Sequence, residues 1–129
     1  EFYLKSIKEE VHDAFSNLGN IYITGLGAEQ GVAKDVDRGL DLLEKGAELG
    51  SRQAAFTVGS YYGKGEIVPV NHSKAFLYLT LASLQKHDQA KRVLLIMQHA
   101  VKEDFSRELD QAQHLYAKIQ NMRQLYKLL

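Results

Sequence analysis

The chain has 129 residues, no net charge, 45% apolar residues and no cysteine. That length suits one domain with a continuous core, and no apolar run is long enough to cross a membrane. Without thiols there is no disulfide, thiolate metal site or cysteine nucleophile, and the composition suits reducing and oxidising compartments alike.

Residues 2–11 carry Tyr3, Leu4, Ile7 and Val11 at helical spacing, a helix without a first partner. Residues 13–24 repeat the pattern with Ala14, Phe15, Leu18, Ile21 and Tyr22. A third helix is expected over 36–49, capped by Asp35, carrying Val36, Leu40, Leu42, Leu43, Ala47 and Leu49 in the same apolar pattern and stopping at Gly50. The next pair covers 53–64 and 72–86, with Pro69 in the loop, where its missing amide costs nothing, and Asn71 or Ser73 as cap. Two closing helices follow, over 88–101 and roughly 105–128, the second capped by Ser106 or Asp104. In that last helix Leu109, Ala112, Leu115, Tyr116, Ile119, Met122, Leu125 and Tyr126 fit one apolar stripe.

Two segments nearly coincide at a spacing of forty: Leu18-Gly19-x-x-Tyr22-x-x-Gly25 and Val58-Gly59-x-x-Tyr62-x-x-Gly65. Each runs through a turn, Gly31-Val32-x-x-Asp35 or Ile67-Val68-x-x-Asn71, into a second helix. Self-similarity at this period marks stacked helical repeats, which present a surface more readily than a catalytic cleft. Glycine inside a helix costs about 1 kcal/mol relative to alanine. A repeated cost at Gly19 and Gly59 therefore points to a neighbouring backbone that approaches too closely for any side chain. Gly25 and Gly65 fall at helix ends, where a left-handed residue is needed.

These motifs, with Lys45-Gly46-Ala47-Glu48-Leu49-Gly50 ending the second helix, resemble the Sel-one-like repeat family, relatives of the tetratricopeptide repeats. The resemblance covers two repeats, about residues 13–86, and a half repeat before them in which Tyr3 and Ile7 match Leu43 and Ala47. The first turn is four residues longer, within Leu26 to Gln30, and Ile67 replaces a family glycine. A third repeat near Ala90 has Leu95 for the glycine and Gln98 for the tyrosine. The resemblance implies an all-α α-solenoid, a right-handed superhelix of antiparallel helix pairs with a long C-terminal capping helix. The expected layout is a half repeat over 1–12, repeat one over 13–50, repeat two over 51–87, and a degenerate repeat with cap over 88–129. Such a chain reads as the C-terminal part of a longer repeat protein.

Family members act as adaptors and scaffolds, so the implied partner is a protein or peptide held on the concave face by the first helix of each pair. Its non-core positions are Asp13, Ser16, Asn20 and Thr24, then Gln53, Phe56, Ser60 and Lys64, then Gln89, Arg92 and His99. Asn20 suits a peptide backbone, and Lys64 and Arg92 suit a carboxylate. Phe56 is either an aromatic anchor or core packing beside Val58 and Tyr62.

Charge is uneven: five basic against ten acidic side chains in residues 1–50, three against one in 51–83, and eight against five in 84–129. That gradient and the half repeat raise the alternative of a self-assembling array. Nucleic acid is not expected, because no dense basic stripe is interleaved with aromatics. Direct membrane insertion is not expected either. His12, His72, His87, His99 and His114 form no metal-binding spacing, so a hydrolase would need the fold to gather them with carboxylates. His72 and His87 read as loop residues. Gly25-x-Gly27 and Gly63-x-Gly65 lack the strand before and the Gly-Lys-Ser/Thr after that a phosphate loop requires. The expectation is therefore no catalysis, no metal and no cofactor.

Overall fold

The computed structural model describes residues 14–27, 31 and 33–128, which form six helices and no strand. The helix proposed over 2–11, the half repeat and Asp13 lie outside the described residues. In chain order the helices are α1 (14–24), α2 (Val36–Glu48), α3 (Arg52–Lys64), α4 (His72–Leu84), α5 (Asp88–Ala100) and α6 (Ser106–Leu128). Each expected element that falls on the described residues is present, with ends within two residues.

The hairpins α1–α2 and α3–α4 close identically. The Asp35 amide donates to Tyr22 O and the Asn71 amide to Tyr62 O, both at 2.9 Å, although the first loop is four residues longer. Asp35 and Asn71 then cap their helices, each side chain accepting from the amide three residues on. The joints between hairpins also match: Ser51 N–H donates to Gly46 O at 2.9 Å, His87 N–H to Ala82 O at 3.1 Å. The residue before each takes a left-handed conformation, Gly50 at φ 109° and Lys86 at φ 66°. Repeat two thus places a lysine where its counterpart is the residue best suited to positive φ.

The notches predicted at Gly19 and Gly59 are there. A Cβ on Gly19 would stand 2.9 Å from both Gly39 O and Leu43 Cγ. One on Gly59 would stand 2.9 Å from Leu79 Cγ and 3.1 Å from Leu79 N. Leu43 and Leu79 are equivalent positions, fully buried, and each seats in its glycine. The next turn shows a size exchange. In repeat one Ile23 packs on Gly39, whose added Cβ would meet Ile23 Cγ1 at 2.5 Å. In repeat two the same two places hold Gly63 and Ala75, and a Cβ on Gly63 would lie a comfortable 3.7 Å from that of Ala75.

Helix α4 is the hub, packed against α3, α5 and α6. Its apolar residues are buried nearly all round, which fits a helix with neighbours on several sides. A polar clasp joins the repeats beside it. Tyr62 Oη donates to Glu44 Oε1 at 3.3 Å, and Lys74 Nζ reaches Glu44 Oε1 at 3.3 Å while lying 5.0 Å from the Tyr62 ring centre. Burial, then the Glu44 carboxylate, push the Tyr78 hydroxyl far above the ordinary phenol range.

Helix α6 runs parallel to α4. Ser73 Oγ donates to Glu108 Oε1 at 2.8 Å near both starts, Phe76 and Phe105 stack at 4.4 Å, and Arg123 donates to Gln85 Oε1 at 2.9 Å near the end of α4. Asp104 caps it, accepting from the Ser106 amide at 2.9 Å. The expected single stripe needs correction: Ala112 and Ile119 are buried, but Leu109 and Leu125 are exposed. At 1.5 Å per residue, 23 residues outrun the 13 of α4, so the last turns of α6 extend past its end. Leu95 occupies the place of Gly19 and Gly59, and with no notch there it stands 58% exposed while α6 lies along α4 instead.

Candidate functional site

The first helices α1, α3 and α5 stand side by side, and two valleys separate them. Between α1 and α3 the Tyr61 hydroxyl donates to Asn20 Oδ1 at 3.1 Å, a strap across the valley. Asn20 is thereby occupied. Thr24, also exposed, donates to the backbone oxygen of Asn20 at 2.8 Å. Ser16 is buried and its hydroxyl has no hydrogen-bond partner, so it offers no open surface.

Between α3 and α5 the valley stays open as an apolar groove of about 600 Å³. Phe56, Ser60 and Lys64 line it from α3, and Val93, Ile96 and Met97 from α5. Of the positions expected to bind, these three on α3 are brought together; Gln89, Arg92 and His99 lie exposed on α5 but do not line the groove. The sequence reading missed the α5 wall. Val93, Ile96, Met97 and Ala100 recur at helical spacing, and the usable signal was that this stripe had no predicted partner.

Phe56 lines one end of the groove, and stacked against it stands His87. Instead of lying in a loop as the sequence suggested, it is the N-cap of α5, standing where repeat one has Ser51. Its Nδ1 accepts from the Ala90 amide at 3.2 Å, which puts the ring proton on Nε2, donating to Gln53 Oε1 at 3.2 Å. The ring stacks on Phe56 with centres 4.4 Å apart. Phe56 is therefore half-buried, partly in the cap and partly in the groove.

Burial and the nearby Arg52 guanidinium lower the His87 pKa below its ordinary 6.5, against the opposing pull of a backbone hydrogen bond and the Asp88 carboxylate. In the folded chain His87 thus binds fewer protons than in the unfolded one just below that value, so its contribution is complete above about pH 6.5 and fades as pH falls through the folded pKa. A protonated Nδ1 cannot accept from Ala90, which removes a cap worth about 1 kcal/mol. Urea midpoints should therefore drop more between pH 7.5 and pH 5 for the parent than for His87→Ser, which keeps a cap oxygen. Equal drops would sink the cap assignment.

Among the described residues no three of His, Asp or Glu gather as a metal site requires, and no helix is long and apolar enough to cross a membrane. A comparison with curated proteins finds no match. The family model described as Sel1 repeat matches residues 13–51 and 52–87, together more than half of the chain. Its two matches fall on the hairpins that share one loop closure, one joint and one glycine notch. The chain belongs to the Sel1 repeat family.

Proposed function

We propose that this chain is a non-catalytic interaction module that holds a protein or peptide on the concave side formed by α1, α3 and α5. Sel1 repeats are typically protein-interaction modules. The observation that carries the reading here is the groove between α3 and α5, where Ile96 stands 68% exposed beside buried Leu79. An uncovered apolar wall beside a repeat core is the kind of surface that a partner covers. No cofactor enters this reading.

The test is recovery of partners by the immobilised chain from lysate of its source, against Ile96→Asp in the groove and Leu125→Asp on the overhang of α6. A specific partner should be retained by the parent and by Leu125→Asp, and reduced at least tenfold by Ile96→Asp. Identical recovery by all three would clear the groove of any role in binding.

A further inference from the structure

We propose that the groove between α3 and α5 takes a peptide segment that places two apolar side chains in the cleft and a carboxylate beside them, on Lys64. This rests on the interaction-module reading and goes beyond it by naming the chemistry of the occupant.

The apolar part follows from the walls. Along α3 the groove runs from Phe56 to Lys64, about 12 Å at 1.5 Å per residue, and along α5 from Val93 to Val101. Val93, Ile96 and Ala100 face it at successive turns, opposite Phe56, Ser60 and Gly63. Gly63, which lines the groove between Ser60 and Lys64, brings no side chain to that stretch of the α3 wall. The volume of about 600 Å³ has room for two side chains of ordinary apolar size.

The carboxylate follows from the charges. Only Lys64 and His72 bring ionisable basic groups to the lining. The His72 ring already has an acid, with Nδ1 2.9 Å from Glu103 Oε1. Among the described residues no carboxylate pairs with Lys64, and no acidic side chain lines the groove. At the opposite end the groove reaches Phe56, whose ring is backed by the stacked His87 ring. An occupant therefore has its apolar anchors against that ring and its acid at the lysine end. The neighbouring valley is crossed by the Tyr61–Asn20 hydrogen bond.

The test is fluorescence anisotropy with two labelled peptides, each with two leucines one helical turn apart, one flanked by glutamates and its twin flanked by lysines. The parent chain should bind the glutamate peptide at least threefold more tightly, and Lys64→Glu should invert that order. Ala100→Phe, which adds a ring at an exposed position of the lining, should melt no lower than the parent and abolish binding of both. Equal affinities for the twins, an unchanged order in Lys64→Glu, undiminished binding to Ala100→Phe, or no binding of either peptide would each overturn the assignment. If partner recovery is still lost in Ile96→Asp, the failure lies with the chemistry named here and the interaction module stands.

Discussion

Replacing Gly59 with leucine is expected to destabilise the chain by about 1–3 kcal/mol, the usual cost of forcing extra carbons into a packed crossing. The added Cβ alone would stand 3.1 Å from the backbone nitrogen of Leu79 and 2.9 Å from its Cγ. Neither neighbour can yield cheaply, because the nitrogen belongs to α4 and the Leu79 side chain is fully buried. Leucine is the better helix former by about 1 kcal/mol, so the measured loss is what remains after that gain. At this chain length it should appear as a fall of about 3–5 °C in Tm per kcal/mol. Gly63 provides the contrast within the same helix, since its position leaves 3.7 Å to the nearest side chain. A Gly59→Leu variant melting with the parent would remove the close-approach account of both notches.

Leu43→Ala is expected to cost more, about 2–5 kcal/mol, because it deletes the side chain that fills the equivalent notch in repeat one. Leu43 has no exposed surface, and the void it leaves is bounded by backbone at Gly19 and by helix α2 itself. Against a typical total of about 5–15 kcal/mol, such a loss is large enough to separate the repeats in stability. In arrays where each repeat contacts only its neighbours, the damage is felt first locally. Hydrogen exchange should therefore show the amides of α1 and α2 losing protection before those of α4, while urea unfolding reports the total. A midpoint shift equivalent to less than about 1 kcal/mol would mean that the site collapses and that Leu43 is no keystone.

The architecture was legible because its signals are repeated and short-range. Gly19 and Gly59 announce a helix crossing, Gly25 and Gly65 announce left-handed ends at φ 74° and 71°, and Asp35 and Asn71 announce caps. Each signal depends on a few residues near one another in sequence. The groove was only half legible, because it depends on what two helices far apart in sequence fail to cover. Phe56, Ser60 and Lys64 could be placed on one face of α3, but nothing local indicates that Ile96 lacks a neighbour. His87 escaped for a different reason. Its ring nitrogen does the work of the Ser51 hydroxyl, and histidine is not among the residues that ordinarily advertise a helix start. The overhang of α6 was hidden because an apolar stripe shows which side faces inward but not how far the supporting helix extends.

The reciprocal fit of large and small residues, Ile23 on Gly39 but Gly63 beside Ala75, limits how this sequence can be shuffled. Transplanting α1 alone onto α4 would drive isoleucine against alanine, and joining α3 to α2 would leave two glycines facing a void. The smallest interchangeable piece is the complete hairpin, so duplication, deletion or grafting of such arrays has to proceed in whole pairs to keep the seam filled.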